Sequence, residues 1–209
     1  MDKQNDRHEK DTEQLILEAA IKEFSAKGLD GARTATIAAE AGVTHAMLHY
    51  YFRTKEKLFE RIVQDKLNHI LNMVLIPMLS SGGNIKERIR KGAEAHFDFI
   101  LANPELPKFF ITTVNSKPEL YHDLMQEILS IAGNRIKDFQ AELDKAHAIG
   151  EICGVNASML FCDIASLNVM PFLSYPMMMA ATGYPPEAYE DFMAARKKEI
   201  IEIIMKRLS

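Results

Sequence analysis

The chain of 209 residues contains no tryptophan and only two cysteines, and neither charge sign dominates. Each scarcity excludes something. Cys153 and Cys162 stand nine positions apart, too few and too far apart for a zinc cluster or a disulfide framework. They read as two reduced thiols in an apolar core, as suits a reducing compartment. No apolar run approaches the roughly 18 residues of a membrane helix. The longest, 169–173 and 176–181, are short and broken by prolines. The polar start from Met1 to Glu13 has no apolar core of a secretory leader. A cytoplasmic protein without a membrane partner is expected. No stretch alternates apolar and polar residues long enough to read as a strand, and no repeat or low-complexity block occurs. A helical metalloenzyme would need Glu-x-x-His pairs duplicated on facing helices, and no such duplicated pattern is present. No metal, cofactor or catalytic residue is expected; the chain reads as a binding protein and not an enzyme. With 25 basic and 29 acidic residues, a net charge of −4 argues against a protein that coats nucleic acid along its whole surface. One local DNA-reading face remains open, since the charge of the contacting face is what counts.

What is present is a folded helical chain. Hydrophobic residues make up 47% and charged residues 26%, which excludes global disorder. Leu15, Ile16, Ala19, Ala20 and Phe24 follow a helical rhythm that Gly28 can end. A short helix near 36–41 stops at Gly42. Thr44 can cap the next, over His45–Tyr51. Thr54 caps a helix that carries Leu58, Phe59, Ile62 and Val63 and is expected to end near Pro77. Ser80-Ser81-Gly82-Gly83 is a loop. Asn84 opens a helix to about Asn103. Ser116 and Glu119, around Pro118, form the signature of a capping box before a long helix that stops ahead of Gly150. Asn156 opens an apolar helix to about Met170, with Pro171 and Pro176 disturbing its end. Pro185-Pro186-Glu187 starts the last helix. The fold class is all-α with about nine helices. Residues 1–55 are expected to form a first domain, with 1–10 a flexible tail, and residues 56–209 a second.

The informative segment is Ile37-Ala38-Ala39-Glu40-Ala41-Gly42-Val43-Thr44-His45-Ala46-Met47-Leu48. The alanines let two helices approach closely, Gly42 permits a left-handed stop, Val43 plugs the angle, and Thr44 restarts the chain as a helix. This is the pattern of a helix-turn-helix, whose second helix fits a major groove. His45, Met47 and His49 can project from that helix while Ala46 and Leu48 hold it. Tyr50, Tyr51, Arg53, Lys55 and Lys57 suit phosphate contact. From Arg33 to Lys57 four basic residues face two acidic ones, a local charge of +2. His45 and His49 also have the spacing of two metal ligands, but a glutamate at 46 is missing, so groove contact is the preferred reading.

The first 60 residues or so resemble the TetR family of bacterial transcriptional regulators. The resemblance rests on Ala19-Ala20, Phe24 and Gly28, on Ile37-Ala38 with Ala41-Gly42-Val43-Thr44, and on the run from Leu48-His49-Tyr50-Tyr51 through Phe52-Arg53-Thr54-Lys55-Glu56-Lys57-Leu58-Phe59. It implies that Thr44 caps the recognition helix and touches phosphate, and that His45 and Met47 face the groove. It places His49 where a tyrosine is most common, Tyr50 and Tyr51 against backbone phosphates or nearby bases, and Lys55 as a phosphate-binding lysine. Ala32-Arg33-Thr34 departs from the family pattern of threonine followed by an apolar residue, which makes Arg33 a candidate additional DNA contact. The resemblance also implies a C-terminal helical domain for ligand binding and dimerisation.

Two further groups follow from helical phase. Residues 158–173 are apolar nearly all round, and Ile200, Ile201, Ile203, Ile204 and Leu208 continue the theme. Such a helix is buried on more than one side, and a second copy is the commonest partner. Ile164, Leu167, Ile200, Ile201 and Ile204 are therefore the expected dimer contacts. His96, Phe99, Phe110, Thr113, Met125, Ile128 and Phe161 are the expected lining of an effector pocket, placed by phase and by the family's usual pocket. The expected function is a ligand-responsive transcriptional regulator, a repressor that binds a near-palindromic operator in double-stranded DNA as a homodimer. A small apolar or aromatic effector would release it. An activator of the same fold and a helical protein-binding adaptor are the alternatives.

Overall fold

The computed structural model describes residues 11–112, 119, 122–123, 126, 128–183, 185 and 187–209 in full, and the backbone alone of 2–10, 113–116, 118, 120, 121, 124, 125, 127 and 186. No strand occurs among the described residues. The helices are α1 (Asp2–Gly31), α2 (Thr34–Glu40), α3 (His45–Tyr51), α4 (Lys55–Ile70), α5 (Ile76–Leu79), α6 (Ile85–Leu101), α7 (Leu106–Ser116), α8 (Pro118–Ala148), α9 (Ala157–Thr182) and α10 (Tyr189–Arg207). A π turn, Leu71–Leu75, joins α4 to α5 without a break, so the described chain forms nine helical rods. The all-α reading holds. α1 starts at Asp2, inside the stretch expected to be a flexible tail.

The chain divides into two compact units. The first comprises residues 1–68 and 108–124. Ile16, Ala20 and Phe24 of α1 are buried, as the rhythm requires. Gly28, at φ 68° and ψ 175°, breaks α1 internally where the sequence places its end, a conformation that costs glycine little. Phe24, Phe59 and Phe109 form the aromatic centre. Phe59 lies 5.1 Å from Phe24, edge to face, and 5.1 Å from Phe109. Each such pair adds about 0.5–1.5 kcal/mol beyond area burial. The division at Asn68 differs from the expected boundary after residue 55. The reason is packing: α4 supplies Leu58, Phe59, Ile62 and Val63 to this core, and Phe109 brings a later segment back to it.

The second unit comprises residues 69–107 and 125–209. Its core joins Ile85, Ile89, Ala93 and Phe97 of α6 to Phe139 and Leu143 of α8, Leu160 and Ile164 of α9, and Ile200, Ile201 and Ile204 of α10. Asn84 caps α6 by accepting from the Glu87 N–H at 2.9 Å. Asn156 caps α9 by accepting from the N–H groups of Ser158 and Met159.

Some expectations hold here and others fail, for physical reasons. The helix opened at Thr54 ends at Leu79, near Pro77 as expected. The π turn shifts the hydrogen-bond register, with Ile76 N–H on the Leu71 carbonyl, and Pro77 then sits in the first turn of α5, where its missing N–H costs little. Likewise α9 runs through Pro171 and Pro176 to Thr182. Tertiary packing offsets the lost bonds: Pro171 is buried and Phe172 lies 5.2 Å from Phe97. Being unbroken, α9 is long and apolar enough to cross a membrane by length and composition, contrary to the reading that prolines leave every run too short. Its buried Asn168 bonds to α6 and its Ile164 joins the core, so α9 is a core helix of this unit. Finally, Cys153 and Cys162 are exposed free thiols, not core residues. Cys162 occupies the side of α9 away from Leu160 and Ile164, so apolar neighbours in sequence do not enclose it.

Candidate nucleic-acid interface

The turn between α2 and α3 is built by backbone hydrogen bonds that the sequence makes possible. Gly42 adopts φ 69°, the left-handed conformation. Its N–H bonds to the Ala39 carbonyl at 3.2 Å, and the Val43 N–H reaches back to Ala38 at 3.0 Å. These two bonds form a Schellman stop, which satisfies carbonyls that the end of α2 would otherwise leave open. Thr44 then starts α3, its hydroxyl accepting from the Met47 N–H at 3.1 Å. Leu48, fully buried, anchors α3 against the unit; Ala46, expected to help, is exposed.

The outward side of α3 carries His45, Met47, His49 and Tyr50, all exposed, with Tyr50 77% exposed. A phenol that open needs a partner outside the chain to be useful. The rings of His45 and His49 meet edge to face at 4.4 Å. His45 Nε2 is 3.0 Å from the Thr34 hydroxyl, which ties the start of α3 to the start of α2. His49 Nδ1 lies 3.2 Å from the Arg53 carbonyl. A carbonyl only accepts, so Nδ1 carries the proton and Nε2 of the neutral ring points an acceptor outward. Tyr51 is half-buried and packs edge to face on Tyr50 at 5.5 Å.

Arg33 precedes α2 with an exposed side chain, and its backbone N–H donates to Glu23 Oε1 at 3.1 Å. The same oxygen accepts from Lys27 Nζ at 2.8 Å. Burial alone would raise the Glu23 carboxyl, but the Lys27 and Arg33 hydrogen bonds and charges outweigh it and hold it below its ordinary range. Lys55 does more than the resemblance implies. Its Nζ donates to the Asp30 carbonyl at 3.1 Å and to the Ala32 carbonyl at 3.2 Å, closing the end of α1 onto the start of α4. Thr34 and Glu23 were missing from the sequence-based set. Nothing in the spacing pairs Thr34 with His45 or Glu23 with Arg33, because both contacts join different helices.

A helix-turn-helix with a capped, outward second helix is thus in place, and known proteins agree with it. Residues 16–62 match the family described as bacterial regulatory proteins, tetR family. That segment is of the TetR family. It is 27% identical over 163 residues to the HTH-type transcriptional repressor NicS of Pseudomonas putida, covering 75% of this chain and 73% of that protein. It is 27% identical over 135 residues to the HTH-type transcriptional regulator YdgC of Bacillus subtilis, covering 62% and 69%. The fold is similar to that of the TetR-family regulator PfmR of Thermus thermophilus, with a TM-score of 0.62 at 20% identity over 90% and 97% of the two chains. FadR of Bacillus halodurans, a fatty acid degradation regulator, gives 0.64 at 19% identity over 94% and 99%. With its TetR-family segment and its likeness to HTH-type regulators, the chain is a DNA-binding transcriptional regulator.

The remaining candidate residues fare differently. Each described residue of the expected pocket lining has a packing or hydrogen-bond partner of its own. Phe110 belongs to the first unit and packs on Phe109 at 5.6 Å. In the second unit Phe99 stacks on His69 at 4.9 Å, Phe161 stacks on Phe139 at 5.9 Å, Ile128 packs against the core, and His96 pairs with Asn168. The side chains of Thr113 and Met125 lie outside the described residues. Of the expected dimer contacts, Ile164, Ile200 and Ile201 are buried by this chain itself, and Ile204, also buried, lines a surface groove. Leu167 does reach the surface, in an open groove of about 440 Å³ that Met159, Ile203, Asp163, Ser166 and Arg207 also line. Arg207 and Asp163 pair across it at 2.9 Å.

Proposed function

We propose that the protein is a ligand-responsive repressor that binds a near-palindromic operator as a homodimer and leaves it when a small apolar or aromatic molecule binds the second unit. The observation that carries this reading is the recognition helix itself: α3 is capped by Thr44, anchored by Leu48, and presents His45, Met47, His49 and Tyr50 outward. Met47 suits contact with a thymine methyl, and His49 Nε2 suits a base donor. Thr44, Tyr50, Tyr51, Arg33 and Arg53 suit phosphate, which fixes register without reading sequence.

The exposed groove on α9 and α10 supports dimerisation, with Met159, Leu167 and Ile203 as the apolar contacts. Two copies would set the recognition helices about 34 Å apart, one turn of DNA. The continuous helical run from Lys55 through the π turn links the end of the helix-turn-helix segment covalently to the second unit. A coupling of about 1–3 kcal/mol along it would change operator affinity roughly 5–150-fold. Selection from a random duplex library at about physiological salt tests the reading. A near-palindrome with half-sites one turn apart is expected, and Met47→Ala should alter the bases preferred at one position of each half-site. A well-folded dimer that enriches no duplex, with and without candidate effectors, would count against it.

A further inference from the structure

Asn168 is the one fully buried amide among the described residues of α9, and half of it is unsatisfied. Its Nδ2 donates to the Ala93 carbonyl at 2.9 Å, which fixes which end of the amide points where. The second Nδ2 proton meets His96 Nδ1 at 3.1 Å. That nitrogen must therefore accept, and the imidazole proton sits on Nε2. Burial keeps the ring neutral, with its pKa pushed down to about 4. The remaining atom, Asn168 Oδ1, is enclosed with no donor. Buried polar atoms almost always find a partner, so an orphan acceptor points to something bound there.

The surroundings narrow the chemistry. Phe97 and Phe172 pack at 5.2 Å on the same two helices. Phe172 is one turn beyond Asn168, and the Tyr175 hydroxyl, also enclosed without a partner, is one turn further along α9. The charge of Arg88 in this unit is matched by Glu142. His96 is only partly enclosed, which leaves an approach to the pair.

We propose that Asn168 Oδ1 is the polar anchor of the effector site, and that the ligand is a neutral alcohol or phenol on an apolar body. A hydroxyl donates to the orphan carbonyl oxygen, while the other end of the amide stays fixed on Ala93 and His96. A carboxylate has no proton to donate at neutral pH and would face the negative end of the amide. A ketone or ether supplies no donor to Oδ1. The proposal rests on the ligand-responsive reading above and adds the ligand class.

The test is calorimetric binding to the full chain at neutral pH with two matched series. One is nonan-1-ol, nonan-2-one and nonanoate; the other is 4-propylphenol, 4-propylanisole and 4-propylbenzoate. In at least one series the hydroxyl compound should bind roughly tenfold or more tightly than its two counterparts, the value of one buried hydrogen bond. Asn168→Leu should abolish that preference. Nitrogen NMR of His96 in the unaltered protein needs no variant: Nδ1, which accepts from the Asn168 amide, should shift on adding the hydroxyl compound alone. Equal or better binding by the carboxylates, no binding by either hydroxyl compound, or a preference that survives Asn168→Leu would each overturn the anchor. Selective operator binding that is insensitive to both series would overturn it while leaving the regulator standing. Failure to select any duplex would instead remove the reading on which it rests.

Discussion

Lys55 latches the first unit and is also proposed to contact phosphate, and one substitution separates the two roles. Lys55→Met keeps the apolar stem and removes the ammonium. Two charge-assisted bonds, to the carbonyls of Asp30 and Ala32, are lost. Bonds to charged groups contribute about 1.5–3 kcal/mol when buried. These are partly exposed, so their sum is discounted to about 1–2 kcal/mol. The carbonyls lie at the end of α1, where the helix dipole favours a cation, which adds to the loss rather than offsetting it. For a chain of this size that corresponds to a melting shift of roughly 2–8 °C. Urea titration and thermal melting, followed by far-UV circular dichroism, read the stability. Operator affinity across a salt series reads the phosphate contact, where one lost contact lowers the salt slope by about 1. A loss of stability with lower affinity is expected. Unchanged stability, within about 0.5 kcal/mol, together with weaker DNA binding would refute the latch and make Lys55 a phosphate ligand alone.

Thr44→Ala removes the cap of α3 and should cost about 0.5–2 kcal/mol, with Thr44→Ser restoring most of it; melting curves of the two variants check this. Burial lowers the His96 pKa to about 4 from an ordinary 6.5, so the unfolded chain takes up this proton first. The stability it contributes is fully present above about pH 6.5 and is lost progressively as pH falls toward about 4. Urea melts from pH 7 to 4.5 should show that decline, and His96→Phe should flatten it. Ile201→Asp places an unpaired charge in the protomer core and should cost several kcal/mol, seen as loss of the folded circular dichroism signal. Ile203→Asp, on the exposed groove, should leave the fold intact and yield monomers by light scattering. A folded monomer from Ile201→Asp would reverse the assignment of the two faces.

The helix-turn-helix was legible because every signal for it is local. Gly42 supplies the positive φ, Thr44 the cap, and Leu48 the anchor, all within seven residues of chain. The two caps at Asn84 and Asn156 were legible for the same reason. Helix continuity at Pro171 and Pro176 was not. Proline's local cost is fixed, but a π turn or a packed neighbour such as Phe97 on Phe172 decides whether it ends a helix. Packing partners such as Phe139 for Phe161 were the least legible, because phase places a side chain on a face and not opposite a particular partner.

By itself the sequence determined the all-α class, the position of the helix-turn-helix and the residues on its second helix, since i, i+3, i+4 spacing and caps act within a turn or two of chain. Only the tertiary structure decided which apolar face of α9 and α10 is core, that Lys55 latches α1, that Phe109 belongs with Phe24 and Phe59, and that Asn168 is buried with an empty acceptor. Those outcomes depend on which helices meet, and contacts between residues 25 or 75 positions apart leave no period in the sequence.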